Sequence, residues 1–291
     1  MKVLVLGSHG QIGSEVLRAR WAAGVALHGL ARAELDIGDR AATLATVAAS
    51  GAELVVNAAA YTAVDRAEAE TAVAFRVNRD GAANVAAACA ATGAALIHVS
   101  TDYVFDGKQR TPYREDDSIA PLGAYGKSKA AGEAAIRGAL DRQIILRTAW
   151  VYGRTGQNFV KTMLRLGGER DELRVVADQL GSPTSAADIA LAIAQIAAGL
   201  GDGGPWGTYH YTGAGEVTWH GFAEAVFDLA FPYTGRRPRV TAITTADYPT
   251  AAPRPAYSVL DCSKIAARFG IRPLPWRDSL ARMLSEHFAA A

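Results

Sequence analysis

The chain has 291 residues, enough for one large domain or two closely joined ones, and its 50% hydrophobic and 20% charged residues set it far from a disordered segment. Thirty Lys and Arg side chains against 29 Asp and Glu leave a net charge of +1, so no bulk field draws it to nucleic acid, an anionic membrane or an acidic polymer. The apolar run before Gly7 is too short for a secretory leader, and the longest run, at 189–200, is broken by Gln195 and falls short of the roughly 18 residues that span a bilayer. Cys89 and Cys262 show no paired spacing, so the sequence reads as cytoplasmic, with two structural thiols and no membrane or nucleic-acid partner.

An aliphatic run at 3–6, a Gly-rich turn at 7–13 and an Ala-rich stretch at 14–23 predict strand, tight turn and helix. Apolar runs at 25–30, 54–57, 95–100 and 143–148 read as the next four strands, with Ala-rich stretches of helical length between them. Continuous apolar strands alternating with helices predict the α/β class: a Rossmann-type doubly wound parallel sheet, followed by a smaller C-terminal substrate-binding domain. Beyond Trp150 the rhythm loosens into a helix at 158–166, a strand at 174–177, a helix at 186–198 and a Gly-rich break at 199–207. A stretch carrying Pro232, Pro238, Pro249, Pro253 and Pro255 comes next, then helices at 263–269 and 276–287. The expected division gives residues 1–152 to the cofactor, with 184–213 returning to that sheet, and 153–183 and 214–291 to the substrate.

Gly7, Gly10 and Gly13 follow a strand and open a helix, and His9, Gln11 and Ile12 lie in the same turn. Missing side chains let the backbone approach a pyrophosphate, whose charge the N–H groups of a helix N-terminus favour. About 20 residues on, where NAD-binding chains of this type carry an acid, stand Ala31 and Arg32. A guanidinium pairs with a 2′-phosphate, so Arg32 points to NADPH, with NADH still possible; the alternative is a solvated Arg. Asp36 and Ile37 are placed to flank the adenine.

Tyr125 and Lys129, four apart, share one face of a helix. A nearby ammonium would lower the phenol's pKa and fit Tyr125 to protonate a carbonyl oxygen as hydride reaches the carbon. Alone, the pair reads as an ordinary amphipathic helix. The segment 99–105 at the end of the fourth strand changes that, because ligands bind at the C-terminal ends of such strands and its hydroxyls should face the crevice, with Thr101 donating to the substrate oxygen.

Thr101, Tyr125 and Lys129, joined to the dinucleotide turn, resemble the extended short-chain dehydrogenase/reductase family. Longer stretches resemble one subfamily, the dTDP-4-dehydrorhamnose reductases: GSHGQIG at 7–13, ELDI at 34–37, VVNAAAYTAVDRAE at 55–68 and STDYVFDG at 100–107. The likeness continues with YGKSKAAGE at 125–133, RTAWVYG at 147–153, NFVKTMLRL at 158–166, DQLGSPTSAADIA at 178–190 and RPAYSVLD at 254–261. It implies NADPH-dependent reduction of the 4-keto group of dTDP-4-dehydro-6-deoxy-L-mannose, the last step of dTDP-L-rhamnose synthesis. It makes Tyr125 the acid, has Lys129 orient the nicotinamide ribose, and puts Thr101 where many relatives use Ser.

By the same resemblance Ala58, Ala59 and Ala60 run along the cofactor, Val64 lies near the sugar, and Asp102 and Trp150 line the sugar pocket. Asn158, Lys161 and Arg254 become candidates for the diphosphate and base. Each has a structural alternative: Trp150 as core, Asp102 as a turn residue, Arg254 as a loop surface residue. Some members carry a divalent metal between protomers on acidic residues. Glu15 matches one such position, but the second is Asp188 and the C-terminal helix offers Glu286, so a metal-bridged dimer is not expected and the chain is read as a monomer or homodimer. His9, His98, His210 and His220 show no ligand spacing and no catalytic metal is implied. The rival readings are another nucleotide-sugar ketoreductase or epimerase of the superfamily and a non-catalytic NADP-binding regulatory subunit.

Overall fold

The computed structural model describes residues 1–201 and 203–289; residue 202, inside the Gly-rich break, and residues 290–291, at the end of the expected substrate segment, lie outside the described residues. The first half runs β1 (Lys2–Leu6), α1 (Gln11–Arg18), β2 (Ala26–Leu30), α2 (Arg40–Ser50), β3 (Leu54–Asn57), α3 (Arg66–Ala69) and α4 (Thr71–Phe75). A π-helical segment, Arg76–Gly81, leads into α5 (Ala82–Thr92), β4 (Ala95–Thr101), a 3-10 turn at Asp102–Val104, α6 (Ala124–Ala139) and β5 (Gln143–Thr148). The second half adds β6 (Val151–Tyr152), α7 (Phe159–Glu169), β7 (Glu172–Val176), β8 (Leu180–Gly181), β9 (Thr184–Ser185), α8 (Ala186–Ala198) and β10 (Gly207–His210). It closes with β11 (Val217–Thr218), α9 (Trp219–Thr234), β12 (Arg239–Ile243), α10 (Ser263–Phe269) and α11 (Trp276–Ala289).

Six strands form one parallel sheet in the order β2-β1-β3-β4-β5-β10. The chain moves outward from β1 to β2 and then restarts at β3 on the other side of β1. That reversal leaves a crevice beyond the C-terminal ends of β1 and β3, where doubly wound sheets bind ligands.

Alternation along each strand builds a core on both faces. Val3 and Val5 pack with Val16 of α1 and with Ile189, Ile193 and Ile196 of α8. Leu4 and Leu6 point the other way, to Val47 of α2, Val85 and Cys89 of α5 and Ile136 of α6. A third cluster is built in the later chain by Tyr152, Val160, Leu173, Val175, Phe222, Val226, Phe227, Leu280 and Leu284. Asp39 caps α2 by accepting the Ala42 N–H, and Gly51 and Gly93 end α2 and α5 in left-handed geometry.

The first helix begins three residues before the sequence pattern places it, at Gln11, because the Gly-rich turn itself supplies the N-cap, Gly10. It stops at Arg18, since Ala19 is extended. The Pro-rich stretch conceals α9: Pro232 sits near its C-terminal end, where the helix ends two residues later and little ladder remains to be broken.

Candidate active site

Gly7 has φ +78°, and a Cβ there would come within 2.7 Å of the Ala59 backbone nitrogen. A side chain at Gly13 would collide with the Gly7 carbonyl, which accepts the Gly10 N–H at 2.9 Å. The turn is thereby pressed against residues 58–60 across the switch point, with Ala58, Ala59 and Ala60 half-buried after β3. No side chain caps α1, and His9 and Gly10 are exposed, so the helix start is free for an anionic ligand. Ile12 packs inward against the sheet cluster. This bare, tightly turned cradle fits a dinucleotide pyrophosphate.

Arg32, just past β2, is exposed and has no ion pair among the described residues. Asp36 is tied back: its carboxylate accepts the Gly38 N–H and pairs with Arg76 at 2.9 Å, and these outweigh its partial burial to hold its pKa below the usual range. Ile37 is buried among the α2 and α5 side chains, its carbonyl accepting Asn84 Nδ2 at 2.9 Å.

Thr101, Tyr125 and Lys129 converge where β4 ends and α6 begins. The Thr101 hydroxyl donates to Asp102 Oδ1 at 2.9 Å and accepts the Tyr103 N–H. The Tyr125 ring, nearby on α6, meets Tyr103 edge-on. Burial pushes the Tyr125 phenol up to about 12, against a smaller lowering by Thr101. The sequence spacing predicts the opposite shift. The reason is that Lys129 Nζ turns away, donating to the Val99 carbonyl at 2.7 Å and lying 3.2 Å from His98 Nε2. A phenol held neutral is a proton carrier throughout the physiological range.

Asp102 is buried, with Oδ2 lacking a hydrogen-bond partner among the described residues, and burial raises its pKa to about 6. Ser100 departs from expectation: neighbouring strand residues point oppositely, and its hydroxyl donates to Glu133 at 2.6 Å, away from the crevice. Glu133 in turn is clasped by Arg147 through Nε at 2.9 Å and Nη2 at 2.7 Å, both residues being buried.

Trp150 is held at φ +45°, its indole stacked on Trp219 with centroids 3.4 Å apart, and a side chain on Gly181 would strike it. Val64 is half-buried beside Asp65, which pairs with Arg254 at 2.8 Å. Asn158 caps α7 by accepting the Lys161 N–H and donates to Gln11 Oε1 at 3.0 Å, joining α7 to the glycine turn. Lys161 Nζ donates to the carbonyls of Arg154 and Gly156. Asn158, Lys161 and Arg254 therefore all have protein partners.

At the acidic positions considered for a metal, the Arg154 guanidinium lies between Glu15, at 3.2 Å, and Glu286, at 3.5 Å, while Asp188 pairs with Arg282 and accepts from Ser279. Cations already neutralise these carboxylates, so this donor set does not fit a divalent ion. Sequence reading passed over His98, Asn57, Glu133, Gly181 and Trp219. Asn57 and His98 meet across β3 and β4, Glu133 meets Ser100 and Arg147 across β4 and β5, and the last two carry no local motif.

The RmlD substrate binding domain family model matches residues 1–288. A dTDP-4-dehydrorhamnose reductase of Sinorhizobium fredii is 45% identical over 98% of this chain and 97% of the relative. A crystal structure of a dTDP-4-dehydrorhamnose reductase from Clostridium acetobutylicum superposes with a TM-score of 0.92 at 38% identity, covering 98% of this chain and 99% of the other. One from Bacillus anthracis, in complex with NADP, gives 0.91 at 36% identity with the same coverage.

Proposed function

The chain belongs to the RmlD substrate binding domain family, that of the dTDP-4-dehydrorhamnose reductases, and from this premise we propose how its crevice performs the reduction that ends dTDP-L-rhamnose synthesis. The protein is an NAD(P)H-dependent oxidoreductase acting on a nucleotide-linked 4-keto sugar. The substrate is dTDP-4-dehydro-6-deoxy-L-mannose. NADPH, when bound, supplies the hydride that adds to C4.

The chain's own groups supply the rest. The turn from Gly7 to Gly13 receives the pyrophosphate through backbone N–H groups, with Gln11 fixed by Asn158. Arg32 meets the 2′-phosphate, and Ala58–Ala60 wall the cofactor. Tyr125 gives its phenolic proton to the C4 oxygen, so ketone, hydride and proton together make the alcohol. Thr101 orients that oxygen by turning its hydroxyl from Asp102 to the substrate, while Asp102, Val64 and the Trp150 indole shape the sugar site. Asn158, Lys161 and Arg254 act chiefly by holding loops in place, as their protein partners suggest.

We assign residues 1–152 and about 184–213 to the cofactor half, supported by the pairing of β10 with β5, and 153–183 with 214–291 to the sugar half, supported by the third cluster for α7, α9 and α11, although Ile265 of α10 and Ile271 just after it pack into the sheet's own cluster. We place the protein in the cytoplasm; no helix among the described residues is long and apolar enough to cross a membrane.

The observation that carries this mechanism is the meeting of Thr101, at the C-terminal end of β4, with Tyr125 and Lys129 in the first turns of α6, Lys129 Nζ reaching the Val99 carbonyl of β4. Turnover is measured as NADPH oxidation with the 4-keto dTDP sugar generated in situ and the product sugar identified. Tyr125→Phe should bind NADPH normally and lose at least ~100-fold in kcat, the lower end of what a positioned acid contributes. Near-normal turnover in that variant would refute the assignment.

A further inference from the structure

Behind Lys129 runs a chain of hydrogen bonds whose direction is fixed from one end. The Ala59 backbone N–H can only donate, and it lies 3.1 Å from Asn57 Oδ1, which sets the orientation of that amide. Asn57 Nδ2 then faces His98 Nδ1 at 3.1 Å and can only donate to it. A neutral imidazole that accepts at Nδ1 carries its proton on Nε2. That Nε2–H points at Lys129 Nζ, 3.2 Å away. An ammonium has no lone pair to receive it; a neutral amine does, and still has hydrogens to give the Val99 carbonyl at 2.7 Å.

We propose that His98 is a positioning residue that holds Lys129 as a neutral amine in the cofactor-free enzyme at mildly alkaline pH, and that Lys129 takes up a proton when NADPH binds there. The inference rests on the reading that Lys129 meets the cofactor.

The surroundings support it. Burial pulls the Lys129 pKa down to about 8, against a smaller upward pull from Glu133, and burial also holds His98 well below its ordinary value, so the imidazole is neutral. Glu133 is already held by Arg147 of β5 and by Arg137. On the elements packed against α6, Asn78 of the π-helical segment donates to Ser128, and Arg79 and Asp80 pair with each other near the surface. Asp102 is bound by Thr101, Tyr103 packs on Tyr125, and Glu68 of α3 accepts the Ala124 N–H. Cys89 of α5 is a buried thiol whose pKa is raised to about 12. Among the described residues, Glu133 is the charged group that favours the ammonium, and its carboxylate is shared with two guanidiniums.

The sign follows from linkage. A lysine that donates to oxygens of a bound nucleotide has its pKa raised by binding, so protons are taken up between the free and bound values. NADPH affinity is then flat on the acid side and falls by up to about tenfold per pH unit above the free value. At pH 8.5 the 2′-phosphate, with a second pKa of about 6, is fully ionised and adds nothing.

The test is calorimetric titration of NADPH at pH 8.5 in two buffers of different ionisation enthalpy, which reads protons exchanged per binding event. Wild type should take up about 0.7 to 1 proton, and Lys129→Met about none. Asn57→Asp presents a carboxylate that accepts from both the Ala59 N–H and His98 Nδ1–H; this moves the ring proton to Nδ1, turns Nε2 into an acceptor for the ammonium, and should cut the uptake to below about 0.2. Wild-type uptake under about 0.2, uptake that survives Lys129→Met, or unchanged uptake in Asn57→Asp would each overturn the proposal. If Lys129→Met instead binds NADPH and turns over as wild type does, the placement of Lys129 at the cofactor fails along with it. The wild-type and Lys129→Met measurements decide the matter even if Asn57→Asp does not fold.

Discussion

A 2′-phosphate beside a carboxylate is repelled and beside a guanidinium is bound, so the choice of dinucleotide turns on the side chains just past β2. There the chain places Arg32, exposed and without an ion pair among the described residues, while the nearest acid, Asp36, is held by Arg76 and the Gly38 N–H. A charge-assisted hydrogen bond contributes about 1.5 to 3 kcal/mol. Arg32→Ala should therefore weaken NADPH binding by about 10- to 100-fold and leave NADH within about twofold, as read by fluorescence titration of both cofactors. An unchanged NADPH-to-NADH ratio would make Arg32 a plain surface residue. Arg32 could be proposed from the sequence because the role it is offered for depends on distance along the chain from the glycine turn. His98 could not: its partners, Asn57 and Lys129, are 41 residues before it and 31 after it. Only the pairing of β3 with β4 and the packing of α6 over β4 bring the three together.

The same limit applies to whole elements. β1, β3, β4 and β5 were legible as largely apolar runs because both faces of the sheet are covered there, and such strands need no polar side, whereas β2 lies at the sheet edge with no buried residue. The wall behind Trp150 was hidden, since it joins the turn after β5, the two-residue strand β8 and the first residue of α9, none of which has a pattern of its own. There Trp150 sits at a backbone angle that non-glycine residues rarely adopt, held by its stack on Trp219. Gly181 leaves just enough room for the indole: an added Cβ would come within 2.6 Å of Trp150 Nε1. Neither ring can yield without leaving the stack. Gly181→Ala should lower kcat/KM for the sugar by about tenfold or more with NADPH affinity unchanged, at an overpacking cost of about 1 to 3 kcal/mol in chemical denaturation. Wild-type kcat/KM in that variant would remove Trp150 from the sugar site.

At the scale of the whole molecule, a net charge of +1 and two polyanionic ligands are compatible if, as proposed, the glycine turn offers backbone N–H groups and Arg32 one placed cation. The chain also returns from the later segment to its first sheet, α8 packing on α1 and β10 on β5, a crossing that no local pattern announces. Across this junction the acidic positions of α1, α8 and α11 meet arginines: Arg154 with Glu15 and Glu286, Arg282 with Asp188. Glu15 and Asp188 are buried beneath half-exposed guanidiniums, so a divalent ion would first have to displace the charges that already neutralise them. Sedimentation velocity and thermal unfolding should consequently give the same mass and the same Tm with excess EDTA as with added Mg²⁺. A mass that falls on chelation and returns with Mg²⁺ would mean that the carboxylates exchange their arginines for a metal when two copies meet.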